Sequence, residues 1–283
     1  MDDRQTLDEE ERRGLEIVRE KLGAVLESNN YPQYLRGTID EMMSAERMTF
    51  DLMGFKHGTD KASVMIKNGR LILAHDYLRQ YELFFAPFRY DEFSLIEFGC
   101  WKGESLRLWK EYFPRAQIYG VDIMKSTLDY AEERISVVLG DATRFETFST
   151  FKQMLNGVRP SVIIDDASHA WGDQRRSFEL FWRMLAPGGL YIVEDLECGA
   201  EGAYPDWPPE VLDSRPFFNY IQDMCMLLRW SQTSRAFLSK DSAFNQLPEL
   251  TRKIMITLDA CYFVPGAVIM RKNPLPPPWE VER

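Results

Sequence analysis

Between residues 8 and 28, apolar side chains recur at helical spacing. Leu15, Ile17, Val18, Leu22, Val25 and Leu26 follow an acidic first turn that suits the helix dipole, which predicts an amphipathic helix. Residues 39–54 continue with Met-rich helical character, and the turn Gly58-Thr59-Asp60 breaks it. Residues 1–90 therefore read as a small helical N-terminal cap, ahead of a larger domain over 91–283.

From residue 94 the pattern changes to short apolar runs alternating with amphipathic stretches. The predicted strands are SLIEFG (94–99), QIYGVDI (117–123), SVVLGD (136–141), SVIIDD (161–166) and LYIVED (190–195). Helices are predicted over 105–113, 127–135, 146–155 and 171–185, the last closed by Ala186-Pro187-Gly188-Gly189. An apolar helix over 217–230 follows, then a hairpin with arms 253–263 and 266–272 around Val264-Pro265-Gly266. This alternation predicts an α/β fold: a Rossmann-like, doubly wound, mostly parallel sheet finished by a C-terminal antiparallel hairpin.

Composition narrows the partners. Of 283 residues, 45% are apolar and 28% charged, an ordinary globular balance. With 34 Lys+Arg against 44 Asp+Glu the net charge is −10, which argues against nucleic-acid binding. No apolar run approaches the roughly 18 residues of a membrane span. Met1-Asp2-Asp3-Arg4 leads into acidic residues rather than a secretory signal. Cys100, Cys198, Cys225 and Cys261 are scattered, which disfavours zinc ligation and disulfides and suits a reducing, cytoplasmic setting.

In open α/β sheets, ligands bind beyond the carboxyl ends of the strands. Those ends are acidic here: Glu97 with Gly99, then Asp122, Asp141, Asp165 with Asp166, and Glu194 with Asp195. Any one of these acids serves equally well as a turn or helix cap; five consecutive strand ends point to a site. The first loop, Gly99-Cys100-Trp101-Lys102-Gly103-Glu104-Ser105, lacks the G-x-G-x-x-G fingerprint and so disfavours a nicotinamide dinucleotide. It suits a ligand without phosphates such as S-adenosylmethionine. Asp122 lies 23 residues after Gly99, the usual separation for a ribose-binding acid, and Asp141 would meet the adenine amino group. Acids from the fourth and fifth strands would repel one another unless a hard cation such as Mg²⁺ lay between them. His169, three residues beyond Asp166, can reach the same cleft as a general base, whereas His57 and His75 read as structural.

These motifs resemble a known family. Gly58-Thr59-Asp60-Lys61, Glu97-Phe98-Gly99, the run from Ser105 to Pro114, Val121-Asp122, Gly140-Asp141, Asp165-Asp166-Ala167-Ser168-His169 and Glu194-Asp195-Leu196 are similar to the metal-dependent class I sugar O-methyltransferases. The members in question are those of macrolide and polyketide biosynthesis, of the mycinamicin and tetracenomycin rhamnoside type. The resemblance implies that Glu97, Gly99, Ser105, Asp122, Asp141 and Asp165 line an S-adenosylmethionine pocket. It implies that Asp166, Glu194 and Asp195 hold Mg²⁺ and that His169 is the base. The expected substrate is a small-molecule vicinal diol, a sugar on a glycosylated natural product, with neither nucleic acid nor membrane as partner and a homo-oligomer as the assembly. Ala167 stands where the family usually has glycine. Two related readings stay open: a catechol-type acceptor, and a cephalosporin-hydroxylase-like accessory protein.

Overall fold

The computed structural model describes residues 3–199, 217–229 and 240–275. They fall into two compact units, one of residues up to Asp91 with Gly103–Pro114, the other of Glu92–Lys102 with the residues from Arg115 onward.

The first unit opens with helix α1 (Asp3–Ser28), which buries Leu15, Val18, Leu22 and Val25, the three- and four-residue spacing of one helical face. Helices α2 (Arg36–Ser44) and α3 (Phe50–His57) follow. Thr49 caps α3 by accepting the Leu52 amide at 3.2 Å, and left-handed Gly58 ends it. The cap is not purely helical, because strands β1 (Val64–Lys67) and β2 (Arg70–Leu73) form an antiparallel hairpin. Asn68 and Gly69, at φ 52° and 72°, make the two-residue turn that matches strand twist. Helix α4 (Tyr77–Phe85) and helix α5 (Glu104–Tyr112) complete the unit. Its interior is aromatic: the Phe50 ring stacks on Tyr112 at 3.8 Å and lies 5.7 Å from Trp109.

The second unit holds the sheet. In chain order its elements are β3 (Ser94–Phe98), β4 (Gln117–Asp122), β5 (Ile135–Leu139), α6 (Phe145–Met154), β6 (Val162–Asp165), α7 (Trp171–Phe181) and β7 (Leu190–Val193). Helices α8 (Phe217–Cys225), α9 (Ser242–Gln246) and α10 (Glu249–Thr257) precede strands β8 (Leu258–Val264) and β9 (Ala267–Lys272). The strand order is β5-β4-β3-β6-β7-β9-β8, with the first five parallel and the last two antiparallel. This is the predicted architecture. The central strands β3, β6 and β7 are buried at every position, as strands covered on both faces must be.

Three predicted elements are corrected. Residues 127–135 are not an α-helix: a 3₁₀ helix, Lys125–Tyr130, runs into a turn closed by a Glu132–Ile135 bridge. That segment buries only Thr127, so it lacks the apolar stripe that would hold a helix to the core. The first hairpin arm starts at Leu258 rather than at Lys253, because Glu249–Thr257 is helical and buries Ile254 and Met255. Its β-branched run imitates a strand. The helix predicted over 217–230 is α-helical only to Cys225 and continues as a 3₁₀ turn, Met226–Arg229.

Candidate active site

Strand order reverses between β3 and β6, and a crevice opens outside such a switch point. Two loops meet there. Gly99, left-handed at φ 79°, follows β3, and a Cβ at that position would lie 2.1 Å from the Asp166 carbonyl oxygen and 2.7 Å from Ala167 Cα. Only glycine allows both that backbone angle and that approach. The Asp166 amide in turn donates to the Phe98 carbonyl at 3.0 Å, so the β3 and β6 loops are joined.

On the β4 side, Asp122 organises the first loop. One of its carboxylate oxygens accepts the amides of Cys100 (3.1 Å) and Trp101 (3.0 Å), and the other accepts Met124 (2.8 Å). Trp101 is left-handed at φ 39° and its ring is exposed. Glu97 is fully buried in β3. Burial, reinforced by the charges of Glu97 and Asp122, pushes the Cys100 thiol up to about 12, so it is no nucleophile at neutral pH. Asp141, after β5, accepts the Thr143 amide and hydroxyl at 2.8 and 2.7 Å and pairs with Arg144 at 3.3 Å. Burial alone would raise its carboxyl, but these donors outweigh burial and hold it below the usual range. Ile123 and Phe145, next to these acids in the chain, expose large apolar side chains. Ser105 lies in the first turn of α5, in the first unit, and is buried there.

The paired acids after β6 and β7 divide their roles. Asp165 points inward: it is buried, accepts the Ser177 hydroxyl and, at 3.5 Å, the Ala167 amide. Burial pushes its carboxyl up to about 7, against the Ser177 and Ala167 donors and helped by the charges of Asp166 and Asp173. Asp166 turns the other way and meets His169. The His169 Nδ1 stands 3.8 Å from Asp166 Oδ1, and its Nε2 stands 3.6 Å from Asp195 Oδ2. The imidazole therefore lies between two carboxylates from neighbouring strand ends, beyond hydrogen-bond length from either. Its Nδ1 is buried without a hydrogen bond. Ser168 sets up the bend, accepting the Ala170 amide at 3.3 Å and donating to Asp173 at 2.9 Å.

Ligand atoms of Asp166, His169 and Asp195 all lie within 4.8 Å of one another. A hard cation at about 2.1 Å from its donors sets opposite donors about 4.2 Å apart, so small side-chain rotations would close this group around one. Glu194 is buried and its carboxylate is outside that group, although it was expected beside Asp195. The sequence pattern placed His169 as a base near this cleft; its place between both carboxylates depends on the left-handed turns at His169 (φ 56°) and Asp195 (φ 54°).

Comparisons with known proteins now fit the geometry. Residues 96–193, from β3 through β7, match the family described as a methyltransferase domain. The chain is 32% identical over 166 residues to the 8-demethyl-8-alpha-L-rhamnosyl tetracenomycin-C 2'-O-methyltransferase of Streptomyces olivaceus, a match covering 54% of this chain and 40% of that one. It is 36% identical over 130 residues to the mycinamicin VI 2''-O-methyltransferase of Micromonospora griseorubida, covering 43% of this chain and 32% of that one. The chain thus spans well under half the length of these curated relatives. Its fold is similar to that of the MycE methyltransferase from the mycinamycin biosynthetic pathway, solved with Mg, SAH and mycinamycin VI. That likeness has a TM-score of 0.60 at 19% identity and covers 84% of this chain and 58% of that one. No described helix is long and apolar enough to cross a membrane.

Proposed function

We propose that the chain is an S-adenosylmethionine-dependent O-methyltransferase that uses a divalent cation, Mg²⁺, to methylate one hydroxyl of a vicinal diol. The acceptor is a sugar on a glycosylated natural product. One observation carries the reading: Asp166, His169 and Asp195 converge at the switch point of a methyltransferase domain. Two relatives are named as O-methyltransferases, of a rhamnosyl tetracenomycin and of mycinamicin VI, which supports the acceptor class.

When bound, the sulfonium supplies the methyl group and the cation acidifies the hydroxyl it holds. The remaining work belongs to the chain. Asp166 and Asp195, with Glu194 preceding the latter in the chain, are the carboxylates proposed to hold the cation. His169, near them, takes the proton of the attacking hydroxyl. Gly99 and Asp122 shape the loop that would take the adenosyl ligand, with Glu97, Asp141 and Asp165 as its further residues. The apolar faces of Ile123 and Phe145 suit a flat ring beside an acid corner. A cytoplasmic setting and a homo-oligomeric working form are proposed with it.

Turnover of a diol panel with and without excess EDTA tests the reading. Chelator should abolish methylation and added Mg²⁺ should restore it; undiminished methylation in EDTA would remove the metal from the mechanism. His169→Ala should lower kcat by 10²–10⁴-fold, roughly the worth of a general base. Its affinity for S-adenosylmethionine by calorimetry should stay within a few fold.

A further inference from the structure

The segment carrying Asp195 has a conformation that needs support. Asp195 is left-handed at φ 54°, a region that non-glycine side chains adopt only where the surroundings hold them. The carbonyl groups on both sides of it are held by side chains from the first turn of one helix. Gln174 Nε2 donates to the Glu194 carbonyl at 2.9 Å, and Trp171 Nε1 donates to the Leu196 carbonyl at 2.9 Å. Backbone bonds add to the bracket: the Glu194 amide donates to Asp165 at 3.0 Å, and the Leu196 amide to Gly266 at 2.9 Å.

Gln174 is the more telling member. It is 1% exposed, and its Oε1 is buried without a hydrogen bond. A half-satisfied buried amide carries a penalty that a methionine of similar shape would avoid. What the glutamine provides in return is its bond to the Glu194 carbonyl. The same helix, α7, begins two residues after His169, so one helical turn supports both sides of the His169–Asp195 pair.

We propose that Trp171 and Gln174 are positioning residues that clamp Asp195 in its left-handed conformation and thereby set the affinity of the Asp166–His169–Asp195 corner for a divalent cation. This rests on the reading of that corner as a cation site. Without the clamp, residue 195 relaxes toward ordinary backbone angles and its carboxylate swings away from His169.

The test is calorimetric titration of Mg²⁺ into the purified chain, as wild type, Gln174→Met, Trp171→Phe and the double variant. Removing such outer partners typically weakens metal affinity by about 10–100-fold, and each single variant should lose about tenfold, the double more. Affinity for S-adenosylhomocysteine, measured in EDTA, should stay within twofold; a general loosening of the domain would weaken both ligands and overturn the positioning role. Wild type that binds Mg²⁺ while both folded variants bind it equally well would also overturn it. If Gln174→Met fails to fold by circular dichroism, Trp171→Phe decides alone. Wild type that takes up no cation would instead sink the reading of the corner, and this proposal with it.

Discussion

Asp122, at the end of β4, gives its oxygens to three backbone amides, whereas Asp166 and Asp195, beyond β6 and β7, face an imidazole from 3.8 and 3.6 Å. All three are acids at the carboxyl edge of one sheet. The first shapes a loop; the other two present charge to an imidazole. Asp165 sharpens the contrast, because the neighbour of Asp166 in sequence is turned into the interior and bonded to Ser177. The type of residue at a strand end thus says little about its work. The direction the strand leaves it pointing, and the donors waiting there, say most of it.

The contrast can be broken by substitution. Asp166→Asn or Asp195→Asn should cost the largest effect, at least about 100-fold in Mg²⁺ affinity by calorimetry, with turnover falling in parallel. Asp122→Asn should leave Mg²⁺ affinity within a few fold while weakening the adenosyl ligand; a larger loss of the cation than of the nucleoside would show that the two corners are not separate. Gly99→Ala puts a methyl group 2.1 Å from a carbonyl oxygen at a backbone angle unfavourable to alanine. A loss of about 2–4 kcal/mol in urea unfolding is expected.

Smaller and opposite effects of pH separate two buried or half-buried structural carboxylates. Glu111, in the first unit, pairs with Lys56 at 2.5 Å and His57 at 2.8 Å. Burial raises its carboxyl, but those two partners outweigh burial and bring it down to about 2 from the ordinary 4.5. A depressed acid stabilises the fold above its unfolded value, and that contribution fades as pH falls from about 5 toward 2. Asp165 has the reverse sign. Raised to about 7, it contributes most below 3.8, and the contribution is lost as pH climbs through 7. Thermal melts across pH in EDTA should show Glu111→Gln flattening the acid limb and Asp165→Asn flattening the decline toward neutrality. Identical profiles for both variants would contradict the assignment.

Much of the fold was legible because strand and helix periods differ. The runs ending in Phe98, Asp122, Asp165 and Val193 are too short and too apolar to be exposed helices, and all four are strands. The hairpin over 64–73 was missed, although Asn68-Gly69 is the dipeptide such a two-residue turn favours. Residues 249–257 were not legible, since Ile254, Met255 and Ile256 carry strand propensity and only packing beside Trp182 and Thr257, bonded at 2.8 Å, makes them helical. In the site, the sequence spacing brought Asp166 and His169 together within one loop. It could not show the left-handed turn at Asp195. Gln174 and Trp171 carried no local signal at all, as their partners are carbonyl groups that every residue possesses.

The missing methyl group at residue 99 has a reach beyond its own turn. With the β3 and β6 loops joined through that gap by backbone contact and the Asp166–Phe98 hydrogen bond, the two strand ends are welded rather than hinged. Under the proposed function, a change of acceptor would then have to come from segments outside these two loops.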